Sequence, residues 1–283
     1  MIMALVTMNE TVKKAYLKDY AVPGFNVFSF FDANEIIAGA EEMHSPVLIM
    51  TSGSCIKAMG VETAAGLYSA IAKRSKVPTV LHLDHADDID VITKAIHYGY
   101  SSVMYDGSML SFEENMRNTK FVVKMAHALG VSVEAEIGRV GKGEDGEDVT
   151  AVLTEPEMAK KFYEETSVDA LAIAVGTSHG MQKQEAEIHY EIIEEVSRTV
   201  DVPLVLHGSS GVKNEDLEKI SRFSFGKINI GTRLKNAFCD SIRENLQYDP
   251  SQRDYHKLLL KSAKSVKEVV KDKIKYVGSA EKA

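Results

Sequence analysis

The chain repeats one phrase from end to end: a short, almost continuous apolar run, a polar or glycine-containing end, then an amphipathic stretch. The apolar runs fall at residues 21–27, 46–51, 78–84, 102–106, 131–137, 170–175, 203–207 and 226–230. Runs without strict alternation mark strands buried on both faces, as in a parallel sheet covered by helices. Helical periodicity between them, for example at 33–43, 61–72, 88–97, 113–129 and 187–199, supplies the crossovers. Eight such units predict a closed parallel barrel rather than an open sheet, an α/β protein of the (β/α)8 TIM-barrel class. The length of 283 residues suits one domain over 1–283. Past the eighth strand, helical patterns at 233–246 and 256–275 predict extra C-terminal helices, with 250–283 an extension that covers the barrel or meets a neighbouring subunit. Residues 138–150, rich in glycine and acidic side chains, follow the fifth strand and are expected to form a mobile active-site loop.

Composition narrows the function. A net charge of −8 leaves no basic surplus for neutralising a nucleic-acid backbone, though a small anion needs only a local positive field. No apolar run is long enough to span a membrane, and the first ten residues lack the pattern of a secretory signal. Two distant cysteines, Cys55 and Cys239, read as free thiols of a reducing compartment, so a cytoplasmic location is expected.

Unusual polar residues gather where the strands end: Asn26, Ser52, Asp84, His85, Asp106, Glu134, Glu136, His179, His207 and Asn229. In a barrel these ends converge on one mouth, where catalysis takes place. A single histidine there is usually a hydrogen-bonded core residue. Three of them, His85, His179 and His207 at the ends of strands three, six and seven, point instead to a Zn²⁺ site with a vacant position for substrate. Asp84 precedes His85 directly; both reach the mouth only if the strand twists or ends there, since neighbours on a strand face opposite ways. His82 lies inside strand three as a packed or supporting residue. Two similar segments, Val77-Pro-Thr-Val-Leu-His82 and Val202-Pro-Leu-Val-Leu-His207, hint at a repeated unit. Glycine-rich turns at Gly176-Thr-Ser-His-Gly180, His207-Gly-Ser-Ser-Gly211 and Asn229-Ile-Gly-Thr232 offer backbone N–H groups, two of them just before a helix, as barrel phosphate sites do.

The motifs Pro23-Gly-Phe-Asn-Val27, Leu81-His-Leu-Asp-His85, Ser102-Val-Met-Tyr-Asp-Gly-Ser108, Val133-Glu-Ala-Glu-Ile-Gly138, Gly143-Glu-Asp-Gly146, Val175-Gly-Thr-Ser-His-Gly180 and Leu206-His-Gly-Ser-Ser-Gly211 stand in one order. On these the chain resembles the class II, zinc-dependent fructose/tagatose-bisphosphate aldolases from about Ala21 to the C-terminal Gly278-Ser-Ala280. The resemblance implies that His85, His179 and His207 bind zinc, with Glu136 a supporting or alternative metal contact. It implies that Asp84 exchanges a proton with the aldehyde oxygen and that Glu144 handles the proton on the ketone fragment. Gly180, Gly208, Ser210, Gly231 and Thr232 would hold the ketose 1-phosphate, with Lys183 and a monovalent cation, Na⁺ or K⁺. Asn26 and Asn229 would orient the substrate, and Ser52 would join its binding. The products would be dihydroxyacetone phosphate and an aldehyde, and the assembly a homodimer or homotetramer.

The plainest departure from the family pattern falls at the other end of the substrate. The family's Asp-Pro-Arg before the last helix reads Asp254-Tyr-His256 here, with Asp249-Pro250 followed by Arg253 as a competing register. Ser209, Gln184 and Arg233 also replace frequent family residues. An arginine and an imidazole are not equivalent anion readers. The expectation is a retained 1-phosphate site and a C6 group that is either phosphate, as in fructose or tagatose 1,6-bisphosphate, or sulfonate, as in 6-deoxy-6-sulfofructose 1-phosphate, which would yield sulfolactaldehyde. Two other classes remain open at this point: a metal-dependent hydrolase on the same fold, and a non-catalytic sugar-phosphate-binding protein.

Overall fold

The structure is a computed structural model and describes residues 4–142 and 149–283. Its strands are β1 (Val22–Asn26), β2 (Val47–Thr51), β3 (Thr79–Ala86), β4 (Ser102–Tyr105), β5 (Ser132–Ile137), β6 (Gly141–Lys142), β7 (Ala170–Ile173), β8 (Ser178–His179), β9 (Leu204–Leu206) and β10 (Phe225–Ile230). Helices α1 (Met8–Tyr16), α2 (Phe30–Glu42), α3 (Gly53–Met59), α4 (Val61–Arg74), α5 (Ile89–His97) and α6 (Phe112–His127) precede the loop after β5. Beyond it lie α7 (Pro156–Thr166), α8 (Tyr190–Thr199), α9 (Asn214–Ile220), α10 (Thr232–Tyr248) and α11 (Tyr255–Tyr276). Eight strands close into a parallel barrel in the order β1-β10-β9-β7-β5-β4-β3-β2, and helices α10 and α11 extend the (β/α)8 pattern. No described helix is long and apolar enough to cross a membrane.

The apolar runs resolve into two faces. Phe25, Ile49, Leu81, Leu83, Val103, Val133, Leu171, Ile228 and Ile230 pack outward against the helices. Val22, Leu48, Met50, Val80, Ala170, Ala172 and Val205 point inward and meet Met8, Val12 and Ala15 of α1. The alternation is therefore present but hidden, because both faces of the lower barrel are apolar. Helix α1, which the sequence pattern left unassigned, plugs the N-terminal end. Its Val12 packs on Gly226 at the start of β10, where any Cβ would lie 2.7 Å from the Val12 carbonyl oxygen. Higher in the barrel the inward positions turn polar: His82 and Asp84 on β3, Glu134 and Glu136 on β5, Lys227 and Asn229 on β10 are all buried.

One strand end differs from expectation. The sixth barrel strand stops at Ile173, and His179 lies beyond it on β8, which pairs with β6 in a small parallel ladder, Lys142 opposite His179. The glycine at 176, with φ 99°, turns the chain off the barrel, and a Cβ there would fall 1.9 Å from the Glu187 carbonyl oxygen. His179 thus reaches the mouth from a loop above the strand.

Candidate active site

Asp84 and His85 share the mouth because β3 is irregular at its top. His85 has φ 51°, in the left-handed region, and the register between β3 and β4 shifts between Leu83 and Ala86. The buried Asp84 carboxylate accepts one N–H from Asn26 (2.9 Å) and one from Asn229 (3.1 Å), so two neighbouring strands fix its plane. Burial opposes its ionisation, but His85 and Lys227 outweigh that and hold Asp84 well below the usual carboxylate range.

His85 Nδ1 lies 2.7 Å from Asp106, whose other oxygen accepts the Ser108 N–H at 3.1 Å. His207 Nε2 lies 2.8 Å from Glu134, and the second Glu134 oxygen accepts Lys227 Nζ at 2.8 Å. Glu134, Lys227 and His207 are completely buried. A carboxylate against one ring nitrogen places the proton there and turns the other nitrogen's lone pair to the opposite side. Those opposite atoms, His85 Nε2 and His207 Nδ1, face each other at 2.6 Å. The His179 ring stands 4.9 Å and 5.8 Å from the other two, and one nitrogen from each of the three lies within 4.8 Å of the others.

This donor set fits a divalent cation. Three imidazoles with a common focus, two of them backed by carboxylates, match the ligand chemistry of zinc. Burial, reinforced by the other histidines, pushes His179 and His207 toward the neutral form that ligation requires. At His85 burial works against charge, yet Asp84 and the hydrogen bond that His85 donates to Asp106 raise it to about 10. The pocket thus favours one positive charge at that point. Glu136 points the same way. Burial and Asp106 push it up to about 8, and its buried Oε2 has no partner among the described residues. With His85 and Asp106 it forms a second possible ligand group overlapping the first.

Above these groups opens a cavity of about 500 Å³. Asn26, Ser52, Asp84, His85, Glu136, His179 and Asn229 line it, with Gly180, Gly208, Ser210, Gly231 and Thr232 on the glycine-rich side. Gly208 has φ 64°, and a Cβ there would lie 2.7 Å from the Ser178 backbone, so only glycine lets the two loops touch. Gly231 and Thr232 open the 17-residue helix α10, whose unpaired N–H groups face the cavity end.

Three expected substrate contacts stand elsewhere in this chain. Lys183 is exposed beside Glu185 (3.9 Å), Arg253 donates to the carbonyls of Pro250 and Gln252, and His256 packs edge-on to Phe31 at 5.9 Å. None of them lines the cavity. Glu144 lies outside the described residues. Sequence reasoning gave no role to Asp106 or Glu134 and passed over Lys227. A lysine inside Phe225-Gly-Lys-Ile-Asn-Ile230 was the available signal, because a central strand tolerates such a charge only when it is paired.

A closed parallel barrel whose C-terminal mouth joins a metal-competent histidine cluster, a buried carboxylate and glycine-rich loops has the make-up of a TIM-barrel enzyme site. The chain belongs to the class II fructose-bisphosphate aldolase family, whose model matches residues 6–282. It is 37% identical to the sulfofructosephosphate aldolase of Alkalicoccus urumqiensis, over 99% of both chains. Among solved structures it is similar to the YdjI aldolase of Escherichia coli K12, with a TM-score of 0.86, 33% identity and 99% of each chain covered. A putative fructose-1,6-biphosphate aldolase from Coccidioides immitis matches with a TM-score of 0.88, 29% identity and 96% of each chain covered. The protein is therefore a carbon–carbon lyase of the class II aldolase type, which decides against the hydrolase and the non-catalytic reading.

Proposed function

We propose that this aldolase reversibly cleaves a ketose 1-phosphate to dihydroxyacetone phosphate and an aldehyde, with 6-deoxy-6-sulfofructose 1-phosphate as its preferred substrate. The observation that carries the reaction is the convergence of His85, His179 and His207 beside the buried Asp84. The 1-phosphate would lie against the N–H groups of Gly180, Gly208, Ser210 and the α10 start at Gly231–Thr232, with a monovalent cation such as Na⁺ or K⁺ sharing its charge. His85 Nε2, His207 Nδ1 and His179 would hold Zn²⁺, which when bound supplies Lewis-acid polarisation of the ketone.

Asp84, held by Asn26 and Asn229, takes the C4 hydroxyl proton as the C3–C4 bond breaks and the aldehyde forms. The bonding pair stays with the three-carbon fragment. Glu144, assigned on sequence alone, returns a proton to C3 to complete dihydroxyacetone phosphate. Microscopic reversibility makes the same groups serve condensation. The family likeness further supports a homodimer or homotetramer, and the sequence supports a cytoplasmic enzyme with one catalytic domain over 1–283.

The full-length similarity to a sulfofructosephosphate aldolase supports the sulfonate at C6. The test is kcat/KM for 6-deoxy-6-sulfofructose 1-phosphate against fructose and tagatose 1,6-bisphosphates, with both products identified. Sulfolactaldehyde and dihydroxyacetone phosphate from the first, at the highest kcat/KM, is the expected result; preference for either bisphosphate rejects the sulfonate.

A further inference from the structure

We propose that Arg139 reads the anionic group at the end of the ketose remote from the 1-phosphate, an assignment that rests on the ketose 1-phosphate reading above. Among the described residues that line the cavity, two side chains carry a permanent positive charge, Arg139 and Lys235. Lys235 sits at the end of the first turn of α10, three residues after Thr232 and 5.0 Å over the Phe28 ring, so it belongs to the 1-phosphate end. Arg139 belongs to the other wall. It follows β5, and its Nε and Nη2 both donate to the Ser108 carbonyl, each at 3.3 Å, in the loop after β4. In the barrel order, β4 is four steps from β10, half-way round eight strands. The guanidinium is thus anchored across the mouth from the helix that receives the phosphate.

Electrostatics on that wall require such a group. Asp84, Asp87 and Asp106 face the cavity from the ends of β3 and β4, and an anionic substrate end placed on that side is repelled unless a cation intervenes. Among the described residues Arg139 makes no ion pair with a carboxylate, and its Nη1 has no hydrogen-bond partner. Its root is rigid, because the Arg139 and Val152 backbones exchange both N–H···O bonds (2.7 and 2.9 Å). A pre-placed planar donor with a permanent charge suits the oxygens of a sulfonate or phosphate. The competing role is a staple, in which Arg139 only ties the loop after β5 to the loop after β4.

The experiment uses the metal-loaded, full-length enzyme and three ketose 1-phosphates that differ only at C6: sulfonate, phosphate and hydroxyl. Wild type is expected to favour an anionic C6 group over the hydroxyl. In Arg139→Gln that ratio of kcat/KM should fall about 10- to 100-fold, mainly through KM, since a charge-assisted contact to bound substrate is lost. Arg139→Lys should restore part of the ratio, because charge returns without the fork. Equal losses on all three substrates in both variants indicate a staple and overturn the proposal, as does an unchanged ratio or a wild type indifferent to C6. Should wild type favour the bisphosphate, the sulfonate reading falls by itself, and the phosphate-to-hydroxyl ratio in Arg139→Gln then decides the role of Arg139.

Discussion

Asp84 combines two properties that rarely coexist: it is almost fully buried, and it is ionised. Two asparagine amides and the positive field of His85 and Lys227 make this possible without a direct ion pair at its oxygens. Such a carboxylate is held deprotonated and fixed in orientation beside, but outside, the imidazole cluster. Replacing it should separate chemistry from ion binding. Asp84→Ala is expected to lower kcat about 10²–10⁴-fold, while the bound metal per chain, measured by elemental analysis, stays at the wild-type level. Loss of the ion together with activity would show Asp84 to be a ligand instead.

At the scale of elements, the site depends on loops that approach more closely than side chains permit. The turn after β9 packs on the backbone of β8 through Gly208, and β8 carries His179, so one contact links the anion loops to the histidine cluster. Gly208→Ala must adopt a left-handed φ and also push back the Ser178 backbone. The strain should cost about 1–2 kcal/mol. For a chain of this size that lowers Tm by about 2–4 °C. The shifted loop should also raise KM for the ketose 1-phosphate. Calorimetry and steady-state kinetics check both; unchanged values would mean that the turn relaxes freely and takes no part in binding.

At the scale of the whole molecule, the fold brings together a donor set that fits a divalent cation. His85, Asp106, Glu134 and Lys227 converge from β3, the end of β4, β5 and β10, and the carboxylates that hold a proton on His85 would equally favour a cation in its place. Chelation should therefore abolish turnover and lower Tm, and added Zn²⁺ should restore both. Saturation at a hundredfold excess over Kd corresponds to about 2.7 kcal/mol of stabilisation. The pH dependence has a definite sign. The ion must displace the proton that Asp84 and Asp106 hold on His85 up to about pH 10, and the one that burial holds on Glu136 up to about pH 8. Zinc affinity, read by competition with a chromogenic chelator, should rise as pH goes from 6 to 8. A flat or falling profile would contradict these ligands.

What the chain's sequence determined by itself is whatever repeats over short distances. Strand runs, helix periods and the polar residues closing each strand are local patterns, and together they specify the barrel and place His85, His207, Asp84 and Asn229 at its mouth. What the tertiary structure decided are pairings across long separations and the direction of individual side chains. His85 and His207 are 122 residues apart, and which nitrogen each turns inward depends on Asp106 and Glu134. Local pattern also could not show that His179 leaves the sixth strand for β8, that α1 plugs the barrel floor, or that Lys227 has a buried partner. Period and propensity act within a few residues of chain, whereas ion pairing and ligand geometry act through space, and only closure of the barrel makes those distances short.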